Sequence, residues 1–356
     1  MEQKKNSDNK VESFEISSHR SISIIRGVRR KEMLSRIKRY INSFSKFDWK
    51  SIGNGHGFLA LLDCIKSRII DGTNTEQFIT LEFYRKCQRE RNLFVTNRKT
   101  LKLERVSMRN VSKEEFNSIR NKIEFNKKYS KFVKRAFLPT KEVSEAAIEE
   151  FIEKYRIVLA KPAAETQGRG IELIEFNPNS VGEWARRLSS VEYVVEEYIK
   201  QHPAISAVNP SSVNTIRLCS VLDDNHKAHI IGAAIRCGGR GSVVDNFHHG
   251  GIAYPIDIEN GIVCGRGRTN SDSNTFARHP ATGTLMIGLK IPYWDLVIKS
   301  VKEAAEMSDR IAYLVWDVAI TENGIEIIEA NDRQGCTLWQ LDNVGKYPDI
   351  CRLIRK

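Results

Sequence analysis

The last predicted strand of the sequence carries two polar side chains that could hold a cation. Within the stretch IEIIEANDRQG, which runs from Ile325 to Gly335, Glu329 and Asn331 are two residues apart. Side chains alternate between the faces of an extended chain, so this pair lies on one face. A carboxylate that is buried without a partner is costly. The spacing therefore predicts that a positive charge lies beside these two side chains.

The turn before this strand decides whether a third ligand joins the pair. The sequence TENGI allows a two-residue turn, Asn323-Gly324, which sends Asp317 to the face opposite Glu329. It also allows a three-residue loop over 322–324, with Gly324 in the left-handed region, and this loop places Asp317 directly across from Glu329. The second register gathers hard oxygen donors of the kind that Mg²⁺ prefers. The metal ligands would be Asp317, Glu329 and Asn331; the alternative is a set of polar residues at strand ends without an ion.

A glycine-rich stretch, LAKPAAETQGRGIELI, could bind phosphate groups. Lys161 ends a predicted strand, where its ammonium group can meet phosphate oxygens. The turn that follows is flexible, and its backbone N–H groups could close over phosphates. The residues of this turn are Gln167, Gly168, Arg169 and Gly170. The alternative is an ordinary glycine hairpin beside a surface lysine.

Two further stretches could contact a nucleotide or an acidic substrate. In VVEEYIKQ, a strand that passes into a linker, Glu196 or Glu197 could accept a hydrogen bond from a purine amino group. A solvated acidic pair is the alternative there. Arg217 and Arg236 lie among apolar residues in predicted strands, where they could bind phosphate or carboxylate, or form structural ion pairs. The spacing of His and Cys around DNFHHGG gives no indication of a zinc site.

The elements that must position these residues change in character along the chain. From residue 26 to about residue 120 the pattern is helical and basic, and helix-like segments follow over 125–137 and over 142–155, the latter with Ser144 as its cap. Short strands begin at residue 156 and strands dominate beyond residue 210, which predicts an α+β fold with mostly antiparallel pairing. The expected domains are a basic helical region (1–120), a small lobe with the glycine-rich loop (121–200) and a large lobe with the magnesium and phosphate site (201–356).

Composition and charge narrow the classes of protein. The chain has 356 residues, 41% of them apolar, a formal charge of +12 and seven cysteines without a CxxC pair. With no long apolar segment or signal core, these features predict a globular cytoplasmic protein with reduced thiols. The basic segment 26–40 is expected to form a helix that packs on its own protein. The alternative is that residues 26–44 bind an anionic membrane surface at its inner face, whereas no reading motif supports nucleic-acid binding.

Taken together, these motifs resemble the ATP-grasp superfamily and, within it, the sugar-transfer-associated ATP-grasp proteins. The resemblance covers about residues 120–345 and rests on KP…QGRGIELI, VEEYI, PSSVNTIRL, AAIRCGGRGSVVDNFHHGGI, HPATG, IPYWD and WDVAITENGIEIIEAND. It implies an ATP-grasp fold, in which two α+β lobes hold ATP and Mg²⁺ between them. The front 120 residues depart from the pattern, since a basic helical segment replaces the glycine-rich βαβ start of many such ligases.

The resemblance also implies roles for individual residues. Lys161 would contact the α- and β-phosphates under a lid formed by 165–170, while a lysine that opens a helix before the LP element, Lys127 or its neighbour Lys128, would also contact phosphate. Gln201 and His202 stand where the family often has an acidic ribose ligand. Arg217 and Arg236 would contact the γ-phosphate or an acyl phosphate. The residues implied to bind the nucleotide are Lys127, Lys128, Lys161, Gln167, Gly168, Arg169, Gly170, Glu196, Glu197, Ile199, His202 and Asn246.

The implied activity is that of an ATP-dependent carboxylate–amine ligase. ATP would phosphorylate a carboxylate, and an amine would attack the acyl phosphate to give an amide, ADP and phosphate. The family name points to an amino acid or amine joined to a sugar acid in cell-surface polysaccharide assembly. Two alternatives stay open: a ligase that forms peptide bonds in natural-product biosynthesis, and a non-catalytic nucleotide-binding module that is associated with membrane glycan assembly.

Overall fold

A computed structural model of the protein describes residues 44–354, apart from 46, 53–54, 110, 165–169, 240–246, 248–249, 271–273 and 333–334. The chain divides into two compact units, Met1–Asp48 and Trp49–Lys356, and the elements given below belong to the second unit. Among the described residues, no helix combines the length and the apolar character of a membrane span. The predicted basic helix at 26–40 lies outside the described residues.

Helices make up the described part of the chain before residue 130. Side chains cap several of them, as at Asn74, which accepts a hydrogen bond from the Gln77 amide at 2.7 Å and so satisfies a donor in the first helical turn. The side chain of Gln340 bonds both backbone groups of Val95, at 2.9 and 3.0 Å, and ties this helical part to the C-terminal part of the chain. The helices are α1 (Trp49–Ile52), α2 (Gly57–Ile70), α3 (Thr75–Thr80), α4 (Gln88–Arg91), α5 (Asn97–Ser107), α6 (Lys113–Arg120) and α7 (Lys122–Lys128).

A first antiparallel sheet follows, and two helices pack on it. Its strands are β1 (Phe137–Pro139), β2 (Ile157–Pro162), β3 (Glu172–Glu175) and β4 (Tyr193–Glu197), in the order β1-β4-β2-β3. The helices α8 (Glu145–Tyr155) and α9 (Val181–Ser190) bury their apolar faces against β2, β3 and β4. Ser144 caps α8 as predicted, accepting from the Ala147 amide at 3.3 Å. The helix predicted over 125–137 is wrong, because α7 ends at Lys128 and β1 begins at Phe137.

A larger antiparallel sheet carries most of the predicted site. Its strand order is β10-β9-β7-β6-β5-β11-β12, with β8 paired to β7. One face packs on helix α11 and on α7 around Trp316, in the main hydrophobic core. The strands and remaining helices are β5 (Thr215–Leu222), β6 (Ala228–Cys237), β7 (Ile252–Asp257), β8 (Ile262–Val263), β9 (Gly267–Arg268), β10 (Thr275–Phe276), β11 (Tyr313–Thr321), β12 (Gly324–Asn331), α10 (Pro203–Ser206), α11 (Trp294–Glu306) and α12 (Tyr347–Leu353). The two antiparallel sheets and their helices confirm the predicted α+β class.

In the terminal hairpin, Asp317 lies opposite Glu329, but the turn and the register shift that produce this pairing differ from those predicted. Thr321 pairs with Gly324, so the turn consists of Glu322 and Asn323, and both the predicted Asn323-Gly324 turn and the predicted three-residue loop are wrong. The register shifts farther along, where the pair Val318–Ile327 is followed by Asp317–Glu329. Ile328 is the extra residue of this β-bulge. A bulge adds one residue to one strand, and here it turns Glu329 and Asn331 toward the face of Asp317.

Candidate functional site

The second face of the larger sheet gathers the strand residues that could contact an anion or a cation. Asp317 lies between Glu329 on β12 and Arg217 on β5. Two residues along β5, Thr215 lies beside Arg236 on β6. Directly paired residues of an antiparallel sheet point to the same face, so both arginines and both carboxylates share it. The sheet therefore places two guanidinium groups and two carboxylates within one small area.

Asp317 is held by both arginines. The Arg217 fork donates to the two carboxylate oxygens of Asp317, at 2.9 Å from Nε and 2.7 Å from Nη2, and Arg236 Nη1 donates at 3.1 Å. Burial tends to raise the pKa of the Asp317 carboxyl, but the charges of Arg217 and Arg236 outweigh this effect and lower the pKa to about 2. Asp317 is 3% exposed and stays ionised at neutral pH. Arg217 and Arg236 thus form the structural ion pairs that were one of their two predicted roles.

The pKa of Glu329 is shifted in the opposite direction to that of Asp317. Its pKa is raised above the usual range, first by burial and then by the negative charge of Asp317, while Asn331 Nδ2 donates to Glu329 Oε1 at 3.1 Å and opposes the rise. Two carboxylates that face each other across a ladder repel, and a bound cation would remove that repulsion. The described residues contain no group of three or more His, Cys, Asp or Glu arranged as a metal site. The donors present, two carboxylates and an amide, suit Mg²⁺ that keeps water or phosphate ligands.

A second charged cluster joins the two sheets, and sequence reasoning missed its central residue. Arg135 donates to both oxygens of Glu196 on β4, at 2.8 and 3.0 Å, and to Glu326 on β12 at 2.7 Å. Its guanidinium also donates to the backbone carbonyls of Ile327 and Ile328, at 3.2 and 3.3 Å. The Arg135 side chain is 2% exposed. This arginine therefore links the smaller sheet to the bulge that sets the Asp317–Glu329 register.

Lys161 meets this cluster at Glu196. The Lys161 ammonium donates to Glu196 Oε2 at 2.5 Å, and Asn126 Nδ2 donates to Oε1 at 2.9 Å. Burial opposes ionisation of Glu196, but Arg135 and Lys161 outweigh it and hold the pKa of this carboxyl well below its usual range. Both Glu196 oxygens are thus engaged by protein side chains. The sequence predicted that Glu196 or Glu197 accepts a hydrogen bond from a purine amino group. That contact stays a prediction.

The lysine that opens a helix before the LP element is Lys122, and neither predicted lysine has that position. Lys127 and Lys128 lie in the last turn of α7, where they pair with Glu142 at 2.9 Å and Glu115 at 2.7 Å respectively. Lys122 is the first residue of α7, and its Nζ donates to the carbonyl of Pro162, next to Lys161, at 3.0 Å. The signal in the sequence was Asn121, a good N-cap residue directly before this lysine.

The other predicted contacts are placed only in part. His202 caps the short helix α10, accepting from the Ala204 amide at 3.2 Å, and its backbone amide donates to Ile320 at 2.8 Å. Gln201 is engaged with Asn214 and with the Ser212 carbonyl. Ile199 is buried, with 7% of its surface exposed. Gly170 has a positive φ of 68°, a conformation that glycine adopts without steric cost. Gln167, Gly168, Arg169 and Asn246 lie outside the described residues.

Comparisons with known proteins agree with the resemblance found in the motifs. A family model described as sugar-transfer associated ATP-grasp matches residues 103–346. A comparison with the curated proteins gave no match.

Solved structures similar to this chain include several ATP-grasp and related enzymes. ATP-grasp ligase PsnB complexed with minimal precursor, Mg and ADP is 14% identical with a TM-score of 0.38, over 63% of this chain and 53% of that one. L-amino acid ligase from Bacillus licheniformis is 11% identical with a TM-score of 0.41, over 68% and 48%. Biotin carboxylase from Campylobacter jejuni is 13% identical with a TM-score of 0.45, over 67% and 47%. The chain thus spans about half the length of these proteins, and likenesses this distant carry no conclusion about activity.

Proposed function

The chain belongs to the sugar-transfer associated ATP-grasp family, whose model matches residues 103–346, and from this premise we propose that it is an ATP-dependent carboxylate–amine ligase. ATP would transfer its γ-phosphoryl group to a carboxylate oxygen of one substrate, with ADP as the leaving group. The amine of a second substrate would then attack the carbonyl carbon of the acyl phosphate. The C–O bond to phosphate breaks, the nitrogen loses a proton, and the products are an amide and inorganic phosphate.

The observation that carries this proposal is the arrangement of Arg217 and Arg236 around Asp317. Their guanidinium groups are held in place on adjacent strands by a common carboxylate, at 2.7 and 3.1 Å from Asp317 Oδ2. Donors that are fixed before the reaction need no reorganisation as charge develops on a transferring phosphoryl group. Arg217 and Arg236 would orient the γ-phosphate and the acyl phosphate from this face of the sheet.

The lysines support the same assignment from the other sheet. Lys161 is largely buried on β2, and Lys122 reaches the same point from the start of α7, since its ammonium donates to the neighbouring Pro162 carbonyl at 3.0 Å. Lys122 and Lys161 would therefore bind the phosphates of ATP, and the stretch 165–170 would cover them and exclude water from the acyl phosphate.

Magnesium fits the remaining donors. Asp317, Glu329 and Asn331 would hold the ion. Burial and then the negative charge of Asp317 raise the pKa of Glu329, and a bound cation would favour the ionised carboxylate. When bound, Mg²⁺ neutralises charge on the phosphate oxygens. The protein side chains supply the orientation: the Asp317 carboxylate is fixed by Arg217, and Glu329 is oriented by the amide of Asn331.

The family description supports a proposal for the substrates. The proposed acid is a sugar acid and the proposed amine is an amino acid or another amine, in the assembly of a cell-surface polysaccharide. We further propose a cytoplasmic enzyme with a peripheral contact to the inner face of the membrane through residues 26–44. The dense positive charge of this segment supports that contact, because anionic lipid headgroups attract clustered Lys and Arg.

Release of ADP tests the proposal directly. With Mg²⁺ and ATP, uronic acids and amino acids are screened in pairs, and ADP release is expected to need both a carboxylate and an amine. Glu329→Gln is expected to lower this turnover at least about a hundredfold, in line with the loss of a group that stabilises transferring charge. Glu322→Gln is the matched control, since Glu322 is exposed in the turn of the same hairpin. If Glu329→Gln and Glu322→Gln turn over equally, the site is assigned wrongly; if no pair stimulates ADP release, the ligase activity is refuted.

A further inference from the structure

A groove away from the predicted nucleotide site is rich in arginine. It has a volume of about 440 Å³, within the range of pockets that bind small molecules. The groove lies between the short 3₁₀ turn Phe83–Arg85, the strands β9 and β10 at one end of the larger sheet, and the segment that follows Gln340. Its charged and polar lining includes Glu82, Tyr84, Arg85, Arg266, Arg268 and Asn343.

Two of the three guanidinium groups in this groove share one carboxylate, and the third is held by Thr275. Glu82 receives Arg268 at 2.8 Å and Arg85 at 3.2 Å on the same oxygen, Oε1. Arg266 donates from Nε to the Thr275 hydroxyl at 2.8 Å and from Nη2 to the Thr275 carbonyl at 2.9 Å. These last two acceptors are neutral, so they orient the Arg266 guanidinium without cancelling its charge. The groove therefore has an excess of positive charge, presented by side chains that are already oriented.

The backbone of the groove is held in two uncommon conformations. Glu82 and Asn343 both have positive φ, 52° and 62°, a region that non-glycine residues seldom occupy. Their side chains contact each other, since Asn343 Nδ2 donates to Glu82 Oε2 at 3.3 Å. Strained residues persist where the surrounding contacts hold them, and they concentrate at ligand-binding sites. Here Asn343 contacts the same carboxylate that pairs with Arg268 and Arg85.

The groove is separated from the predicted phosphate site by an apolar partition. Arg236, Ala253 and Arg268 pair in one row across β6, β7 and β9, so the two arginines lie two strand spacings apart, about 10 Å. Ala253, which lies between them, is fully buried and packs with Phe247 and Leu338. A ligand in the groove would therefore bind beside the nucleotide without occupying its site.

We propose that this groove is a second ligand site, which binds a small molecule through its phosphate or carboxylate groups. Arg266, Arg268 and Arg85 converge on it, and the planar guanidinium fork matches both kinds of oxyanion. Leu341 and Ile52 supply apolar contacts for the remainder of the ligand. This site goes beyond the proposed ligase activity and does not depend on it.

Isothermal calorimetry with two probes, inorganic phosphate and citrate, tests the proposal and distinguishes the phosphate from the carboxylate source. Titrations are made on the full chain with a saturating non-hydrolysable ATP analogue and Mg²⁺, so that the nucleotide site is blocked. At least one probe is expected to bind under these conditions. Arg268→Gln is expected to lower the affinity for that probe tenfold or more, because a charge-assisted contact is lost.

Two further variants protect this test against misfolding and non-specific effects. The Arg85 side chain is 64% exposed, so Arg85→Gln should keep the fold even if the Arg268 variant unfolds. It is expected to lower the affinity for the same probe. Arg352→Gln, at an exposed arginine that pairs with Asp349 at 2.9 Å, removes the same charge elsewhere and should leave binding unchanged. The proposal is overturned if neither probe binds, or if Arg85→Gln and Arg352→Gln bind the probe equally. Because no turnover is measured, these results stand apart from any failure of the ligase assay.

Discussion

Removal of the Arg135 side chain should destabilise the protein more than any surface substitution. In Arg135→Met, Glu196 loses two hydrogen bonds and Glu326 loses its ion pair, yet both carboxylates stay buried, at 1% and 5% exposure. Removing one partner from a buried ion pair costs about 3–5 kcal/mol, because the remaining charge is uncompensated. Lys161 still pairs with Glu196, so most of the penalty falls on Glu326. The expected loss of unfolding free energy is therefore about 3 kcal/mol.

Urea denaturation of matched variants measures this loss. Arg310→Met is the control, since Arg310 is 59% exposed and faces Asp309 at 3.6 Å, and its cost should stay under about 0.5 kcal/mol. Arg135→Lys keeps the charge but lacks the planar fork, so it should fall between wild type and Arg135→Met. The double variant Arg135→Met/Glu326→Gln removes the uncompensated carboxylate and should recover part of the stability.

The same substitution should also affect the magnesium site that we propose. Arg135 donates to the carbonyls of Ile327 and Ile328, so its loss frees the bulge that keeps Glu329 opposite Asp317. Arg135→Lys, if it folds, is expected to need more Mg²⁺ for half-maximal turnover than the wild type. An unfolding free energy for Arg135→Met equal to that of Arg310→Met would refute the reasoning, because the cluster would then contribute no more than an exposed pair.

Two further predictions concern the lysines and acid stability. Lys122→Met is expected to weaken ATP binding about tenfold or more, the worth of one charge-assisted contact, whereas Lys127→Met should bind ATP like the wild type; calorimetry with ATP and Mg²⁺ checks both. The pKa of Glu196 is lowered in the folded state, so its contribution to stability is present above the unfolded pKa of about 4.3 and is lost as the pH falls below it. Urea titrations at pH 6 and at about pH 3 should therefore show a smaller acid loss in Glu196→Gln than in the wild type, and an equal loss in both proteins would contradict the assignment.

Local patterns predicted those parts of the fold that depend on neighbouring residues. Ser144 and the amphipathic run after it predicted α8, because capping and helical spacing are properties of consecutive residues. Alternation along β12 correctly placed Glu329 and Asn331 on one face for the same reason. The end of a helix was harder to predict. Over 125–137 the helical pattern of the sequence continues, although the helix ends at Lys128.

The features that failed to emerge from the sequence depend on distant contacts. The opposition of Asp317 and Glu329 was one of two predicted registers, but the structure reaches it through the bulge at Ile328 and a two-residue turn. Nothing in TENGI or IEIIEAN indicates that bulge, whose carbonyls accept hydrogen bonds from Arg135, about 190 residues earlier in the chain. Arg135 itself lies in the basic run KFVKRAF, where it looks like one more solvated charge.

The buried charges explain why such a residue matters for the site as a whole. Lys161 from the smaller sheet and Glu329 from the larger one can act on the same triphosphate only if the two sheets hold a fixed distance. Glu196 connects Lys161 to Arg135, and Arg135 connects in turn to Glu326 and to the bulge beside Glu329. Each charged side chain of this network would be unfavourable in the interior without a partner, but within the network the charges compensate one another. A single buried network therefore positions both Lys161, which we propose binds phosphate, and Glu329, which we propose binds the metal, so a change at any member should alter both.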